Sequence, residues 1–396
     1  MPLYLALKEI RHNKGRFILI SLIVTLITTL VLFIAALAQG LADSNKEYIE
    51  SLTGELIVYQ SNVELSIPSS RLGRSKTNQI RRVEGVADAG QIGFASATIV
   101  FDRQVDGAAA QDGSSIQEPL DVSLIGVESG HPGEPIVISG SPLGRNRSNG
   151  VIIDENAFMR RDIQLGDTIT IKSTQGTQEE FYDLTVVGIA GRQLYQFNPS
   201  LVLPYLTWEK VRPQANVSEQ SEELVSNVVA VRTTQDATPS DVAQRLVNEV
   251  EDIEVVDRVT AYESLPGYAA QQSTLNTQRF FTLFIGILVI GGFFQIQTLQ
   301  KVALIGMLKA IGASNVTVAV ATVAQILIVN VIGVLIGGAI CYALALSFPV
   351  EIPVRFSGNS VASALILLLI IGPVGGLVSV WSLLKVEPLT ALGLAQ

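Results

Sequence analysis

Four apolar runs, Phe17 to Ala38, Phe280 to Leu299, Val316 to Phe348 and Val361 to Leu384, constrain this chain more than any other feature. Each is long enough to cover the hydrocarbon of a bilayer, for which a helix needs about 20 residues. Between the first and second runs, from about Asp43 to Gln278, the sequence is polar and long enough for a folded domain. The predicted fold is an α-helical membrane protein with four transmembrane helices and a large mixed α/β extracytoplasmic domain inserted between helices 1 and 2.

Charge decides which side is which. The 396 residues carry a net charge of −9, and the stretch from Asp43 to Arg279 holds 33 of the 36 acidic residues but 19 of the 27 basic ones. Outside it the balance is positive: Lys8, Arg11, Lys14 and Arg16 precede the first run, Lys301 and Lys309 lie between the second and third, and Lys385 follows the fourth. Basic residues in short loops mark the cytoplasmic side, so both termini are expected there. The acidic domain excludes nucleic acid as its partner. Cys341 is the single cysteine and His12 and His131 the two histidines, which excludes an intrachain disulfide and Cys- or His-rich metal sites. The first run exceeds the 7–15 residues or so of a signal-peptide core, so a retained anchor is expected over a cleaved leader.

The chain is expected to divide as follows. Residues 1–16 form a cytoplasmic amphipathic helix, with Leu3, Leu7 and Ile10 at helical spacing, or else a plain basic patch. Residues 17–42 are the first span and the start of a stalk that keeps helical spacing to Leu52. Residues 43–278 are the outer domain, whose strand-like runs begin at Glu55 and recur at Gln91 to Phe101, Asp121 to Val127, Thr168 to Lys172, Tyr182 to Ile189, Ser200 to Pro204 and Asn227 to Arg232. A helix-turn-strand pattern occurs twice, around Asn78 to Ile92 and Val242 to Asp257, and reads as two related α/β halves. The segment near 150–191 reads as a small all-β insert. Then come span 2 (279–300), a short cytoplasmic helix (301–315), span 3 (316–348), an external loop (349–360), span 4 (361–384) and a cytoplasmic tail (385–396).

Several residues inside the runs call for a reason. Ser21, Thr25, Thr28 and Thr29 share one face of the first span and either pack on another helix or line a substrate path. Gln325 and Asn330 are costly in lipid and should face protein or a cavity. Gly333 with Gly337, and Gly372 with Gly376, are small-xxx-small pairs that permit close helix packing. Lys301 to Asn315, with Ile305, Met307, Leu308, Lys309, Ala310 and the closing Gly312, reads as one compact interfacial helix.

No catalytic constellation is present. The chain lacks a P-loop, a zinc-protease motif and a nucleophile elbow, so it carries no ATPase of its own. The acidic pairs Asp154-Glu155 and Glu179-Glu180 read as solvated surface, since sequence neighbours on a strand point to opposite faces. His131, in Gly130-His131-Pro132-Gly133, reads as a surface turn.

The stretch Lys301-Val-Ala-Leu-Ile-Gly-Met-Leu-Lys-Ala-Ile-Gly-Ala-Ser-Asn315 resembles the cytoplasmic segment with which MacB/FtsX-like ABC transporter permeases dock onto a separate ATPase. One span, a large outer domain and three further spans match that family from end to end. Leu5 to Ile10, Val31 to Ile34, Leu37 to Ala42 and Ile305 to Gly312 are similar to its haem-exporting, HrtB-type branch. The resemblance implies a homodimer in the bacterial cytoplasmic (inner) membrane, bound to two cytoplasmic ABC ATPase subunits that hold ATP and Mg, with no cofactor on this chain. It implies export of an amphiphile, with haem as the leading substrate, entering from the outer part of the membrane near the first two spans. Axial haem ligands are missing from both spans; Thr28, Thr29, Glu47, Tyr48 and Arg279 stand as candidate substrate contacts, with stalk packing or interfacial anchoring as the alternative for the last three. The rival function is an FtsX-like mechanotransmitter that regulates an extracytoplasmic protein partner without transport.

Overall fold

The computed structural model of the protein describes residues 8, 10–101, 119–161, 163–214, 224–300, 302, 307, 311, 314–348, 354–356 and 358–384. The chain forms two compact units, Ala42–Gln271 and Met1–Leu41 with Gln272–Gln396.

The element order is α1 (Lys14–Ser51), β1 (Leu56–Gln60), β2 (Leu72–Gly73), α2 (Arg74–Ile80), β3 (Val86–Val100), β4 (Leu120–Val127), β5 (Val137–Gly140), β6 (Gly150–Asp154), α3 (Glu155–Arg161), β7 (Thr168–Gln175) and β8 (Gln178–Ala190). It continues with β9 (Ser200–Pro204), α4 (Tyr205–Val211), β10 (Val225–Ser226), β11 (Val228–Thr233), α5 (Pro239–Glu249), β12 (Ile253–Asp257), α6 (Arg258–Glu263), α7 (Tyr268–Gln300), α8 (Asn315–Ser347) and α9 (Gly358–Leu384).

Strand β3 organises the outer domain. Its first half pairs with β11, from Val86 opposite Thr233 to Ile92 opposite Val228, and on the same edge its last residues pair with β7, Thr98 opposite Lys172. Its other edge pairs with β4 from Ile92 to Ile99. Because β4 pairs β9, β9 pairs β6, β6 pairs β8 and β8 pairs β7, six strands close into a ring, β3-β4-β9-β6-β8-β7. Alternate residues fill it, among them Ile99, Val122, Leu124, Val151, Ile153, Ile171, Val186 and Leu201. Helix α4 packs on the same core, its Trp208 ring lying where any Cβ on Gly93 or Gly126 would stand.

The rest of the domain is a three-layer stack. Strands β12, β1, β11 and the start of β3 form a sheet whose two faces are both covered. Leu56, Val58, Val229 and Val231 face Ile80, Val242 and Leu246 of α2 and α5. Ile57, Tyr59, Val228 and Ala230 face Tyr48, Ile49 and Leu52 at the end of α1 and Ala261 of α6. Double coverage explains why β1 reads as an unbroken apolar run. The last carbonyls of α1 are met by Arg258, whose Nη1 donates to Leu52 O (2.8 Å) and Glu50 O (3.3 Å); a cation there also suits the helix dipole.

Three expectations change. The segment 150–191 is no all-β insert: it carries α3, and β6, β7 and β8 supply half of the ring. Strands β6 and β8 are parallel, and parallel neighbours need a crossover, which holds α3. The two helix-turn-strand units are present, but α2 and α5 lie in one cluster on one face of one sheet instead of marking two halves. Asp154 is buried, not solvated: its Oδ1 accepts from Ala157 N (2.7 Å) at the start of α3. Burial pushes its carboxyl above the usual range, against the bonds from Asn156 and the backbone that lower it.

Among the described residues three helices are long and apolar enough to cross a membrane, over Lys14–Ser44, Tyr268–Ile296 and Asn315–Ser347. Helix α9 is apolar too, with a shorter segment at Val361–Val374. Leu22, Leu26 and Leu30 of α1 and Phe281, Phe284 and Leu288 of α7 are about half exposed, a surface that suits lipid and not water. Of the predicted N-terminal helix, residues 10–12 are helical and Asn13 bends into α1, while 1–7 and 9 lie outside the described residues, as does the tail at 385–396.

Asp154 yields a pH test. Its folded-state proton affinity is raised, so it opposes folding increasingly as pH climbs from its unfolded value of about 4 through the higher folded value. Asp154→Asn keeps the oxygen that receives Ala157 N and removes the titration. The stability difference between variant and wild type, from denaturant unfolding at stepped pH, should grow in the variant's favour as pH rises across that window and stay flat above it.

Candidate functional site

The hydroxyl face of α1 packs on α8. A Cβ on Gly333 would meet Val24 Cγ1 at 2.5 Å, and one on Gly337 would meet Thr25 O and Thr28 Cβ at 2.7 Å. Thr29 Oγ1 lies 2.9 Å from Thr25 O and 3.1 Å from Gly337 O, within hydrogen-bond reach of both helices. Glycine at these positions lets the two backbones approach, and close packing is what holds helices together in lipid. Thr28 is fully buried in this contact, so of the two roles open to Thr28 and Thr29, helix packing and lining a substrate path, their contacts fill the first.

Helices α8 and α9 are joined through Asn330. Pro373 has no N–H, which leaves Leu369 O, four residues earlier, without its helical donor. Asn330 Nδ2 supplies one: it lies 3.1 Å from Leu369 O and 3.0 Å from Leu368 O. The amide reaches them because a Cβ on Gly372 would stand 2.6 Å from it. Gly376 gives the same room to Ile326. Sequence reading placed Asn330 and Gly372 at a contact but missed Pro373; a proline inside an apolar run was the available signal. Gln325 is buried as well.

Beside this packed core lies a groove of about 200 Å³ formed by α1, α7 and α9. Val31, Ile34, Ala35 and Ala38 line it from one face of α1, Leu275, Gln278, Thr282 and Leu283 from α7, and Ser363, Ala364 and Leu367 from α9. Small residues leave the space, and Gln278, Thr282 and Ser363 provide polar atoms. The backbone N–H of Arg355 donates to Ala36 O (3.0 Å), bringing a guanidinium-bearing residue to the same level of α1. No imidazole, thiol, thioether or phenol is among the lining residues. Sequence reading found no sign of this groove, because it arises from three segments far apart in the chain.

The other predicted contacts are not gathered there. Tyr48 and Glu47 are buried in the outer domain, Tyr48 edge-on to Phe94 (5.5 Å between centroids) and Glu47 Oε2 accepting from Leu194 N (3.2 Å). Burial pushes the Tyr48 phenol above its ordinary value. Both residues pack the stalk, the alternative weighed for them. Arg279 lies in α7, but its side chain is outside the described residues, as are Lys301, Ile305, Leu308, Lys309, Ala310 and Gly312. Of the cytoplasmic stretch Met307 and Ile311 are described, joined by Ile311 N to Met307 O (3.1 Å); they expose 50 % and 84 % of their surface, one helical turn apart. His131 Nδ1 sits 2.9 Å from Asp88 Oδ1 in its turn. Among the described residues no group of three His, Cys, Asp or Glu converges to hold a metal ion.

The Asn330 contact makes a coupled prediction. Pro373→Ala returns an N–H to Leu369 O, so Asn330→Ala should cost less in that background than alone, with a coupling of about 0.5–1.5 kcal/mol. Thermal unfolding of the four proteins in detergent measures it, and additive losses would count against the capping role.

Residues 17–249 match the model of the MacB-like periplasmic core domain and residues 279–388 that of the FtsX-like permease C-terminal region. A provisionally named hemin transport system permease protein, HrtB of Staphylococcus haemolyticus, is 27 % identical over 389 residues, covering 98 % of this chain and 99 % of that one. Its namesake in Staphylococcus epidermidis is 26 % identical over 392 residues, covering 99 % of each. Among solved structures, the periplasmic region of MacB from Actinobacillus actinomycetemcomitans aligns with a TM-score of 0.37 at 14 % identity, over 55 % of this chain and 96 % of its own. The extracellular domain of the transporter YknZ from Gram-positive bacteria aligns with a TM-score of 0.33 at 18 % identity, over 52 % and 99 %. With one model matching the first span and outer domain and another the remaining helices, the chain belongs to the MacB/FtsX-like family of ABC transporter permeases.

Proposed function

We propose that this permease takes an amphiphile, haem first among candidates, from the outer part of the membrane and exports it at the expense of ATP hydrolysed by a partner subunit. The observation that carries this reading is the groove between α1, α7 and α9, an apolar recess with three polar side chains, opening among helices and not in the water-exposed domain. A largely apolar lining with a few polar atoms is the usual character of a small-molecule site. At about 200 Å³ the groove is smaller than the roughly 300–1,000 Å³ typical of such sites, so a second copy of the chain or an opening of α7 completes it. The end-to-end match to the two provisionally named hemin permeases supports haem over other amphiphiles. Without axial ligands in the lining, haem is held by its apolar faces, as a passenger and not as a cofactor.

In this reading the four apolar helices all cross the inner membrane, both termini lie in the cytoplasm, and two chains assemble with two ATPases. Met307 and Ile311 project one apolar edge toward the ATPase, with the basic Lys301 and Lys309 in the same stretch. The second reading, mechanical regulation of an extracytoplasmic protein without transport, draws on α1, which runs without a break from Lys14 to Ser51 into the outer-domain core.

ATPase activity of the complex in lipid nanodiscs, titrated with haem and with unrelated amphiphiles, separates the two. The export reading expects saturable stimulation by haem, reduced about tenfold or more by Ala35→Trp, which fills a site of this size. Hydrolysis indifferent to every amphiphile, together with a protein retained on the outer domain, would favour the mechanical reading. Lys309→Glu places an acid in the docking stretch; it should insert normally and lose most of the ATPase activity gained on complex formation. Unchanged activity in that variant would remove the docking role from this stretch.

A further inference from the structure

Strand β3 has a gap along one edge. On that edge β11 is paired as far as Ile92 and β7 begins at Thr98, and among the described residues no strand pairs with the stretch between them. In an antiparallel ladder the N–H and C=O of one residue point to the same side, and the side alternates along the strand. Ile92 O and Phe94 N face the β11 edge, since they bond Asn227 N (3.0 Å) and Asn227 Oδ1 (2.8 Å). The same edge therefore carries Phe94 O and both backbone polar groups of Ser96. None of these three has a protein partner among the described residues, and Ser96 is exposed. From Phe94 to Thr98 the gap is about 13 Å long at about 3.3 Å per residue, enough for a strand of about three or four residues.

The gap opens into a recess of about 370 Å³ within the outer domain, inside the roughly 300–1,000 Å³ range of ligand sites. Phe94, Ala95 and Ser96 line it together with Arg71, Trp208 and Arg212. In a domain whose acids outnumber its bases, the described lining of this recess holds two arginines and no acidic side chain. The two arginines are not equivalent. Arg212 lies over the Trp208 ring, 5.4 Å from its centroid, and is already matched by Glu209, Nη2 to Oε1 at 2.7 Å and Nε to Oε2 at 3.0 Å. Arg71 meets no carboxylate among the described residues. Its Nη1 donates to the carbonyls of Pro68 (2.9 Å) and Ser70 (3.0 Å), which leaves Nε, Nη2 and the positive charge for something else. An open strand edge is a template for a strand of another chain, and a guanidinium with unused donors is a carboxylate site.

We infer that the β3 edge from Phe94 to Thr98 is a docking site for an extended acidic peptide segment of a partner protein, which adds as a short strand and sets a carboxylate on Arg71. The backbone gives the affinity: Ser96 N donates, and the carbonyls of Phe94 and Ser96 accept, as in other strand additions. Arg71 gives the choice of an acidic segment over a neutral one. The site lies wholly in the outer domain, and it holds whether or not the chain exports an amphiphile.

The test titrates the full chain in nanodiscs with fluorescein-labelled hexapeptides of alternating valine and threonine, their termini blocked, in which glutamate or glutamine stands at each position in turn. At least one glutamate peptide should bind saturably and about tenfold or more tighter than its glutamine counterpart, and Arg71→Gln should abolish that preference. At saturation the same peptide should slow hydrogen exchange of the Ser96 amide in the wild-type chain by about tenfold or more. Ser96→Pro removes that donor where no ladder bond is lost, and it should weaken glutamate and glutamine peptides alike. Failure of every peptide to bind, or binding that leaves the Ser96 amide exchanging freely, would overturn the inference. So would N-acetylglutamate binding as tightly as the peptide, which marks a site for small carboxylates, or a wild-type chain indifferent to the exchange of glutamate for glutamine.

Discussion

One helix has to satisfy two solvents. From Phe17 to Ala38 the side chains of α1 suit hydrocarbon and the packing partners of a membrane bundle; Tyr48, Ile49 and the following Leu52 form part of an outer-domain core. An α-helix can make that passage because its backbone bonds close within itself and demand nothing from either surroundings. The cost appears only where the helix ends, and there Arg258 meets the last carbonyls.

How much of this was readable beforehand depends on how local each feature is. The apolar runs, the stalk and the helix-turn-strand units are written in consecutive residues, and the structure has helices or strands at each. Strand β3 begins at Val86 and not at Gln91, because Val86 to Gly90 are held by β11, a partner more than a hundred positions away. The ring escaped for the same reason: β6, β7 and β8 look self-sufficient in sequence, and only pairing with β3 and β9 shows that they are not. At the membrane groove the failure was complete, since Ala35, Leu283 and Ala364 carry no chemical signal until three helices bring them together. Tyr48 and Glu47 carried two readings, since polar residues near a membrane exit invite a ligand or pack a stalk; burial against Phe94 and Leu194 accounts for the second.

The bundle illustrates how a polar residue is made tolerable in lipid. Asn330 would be a liability alone, and Pro373 would leave a bare carbonyl alone; the Asn330 Nδ2–H answers that carbonyl, with Gly372 giving the space. Such a pair fixes the rotation of α9 against α8 more sharply than apolar contacts do, because a hydrogen bond has a direction and dispersion has none. Two walls of the groove belong to α1 and α9, which Thr29, Gly337 and Asn330 hold against α8.

The closed ring also bears on how the chain matures. Its seam, β3 against β7, joins segments separated by β4, β5, β6 and α3, so the seam cannot form until all of these have been delivered across the membrane. Contacts of such long reach are slow to form. During synthesis the barrel therefore stays open for some time, with unpaired strand edges and an uncovered apolar interior, while α1 already tethers one end of the domain to the bilayer. The interval between export of β3 and arrival of β7 is the window in which a newly made chain is most exposed to aggregation and to the proteases of its compartment.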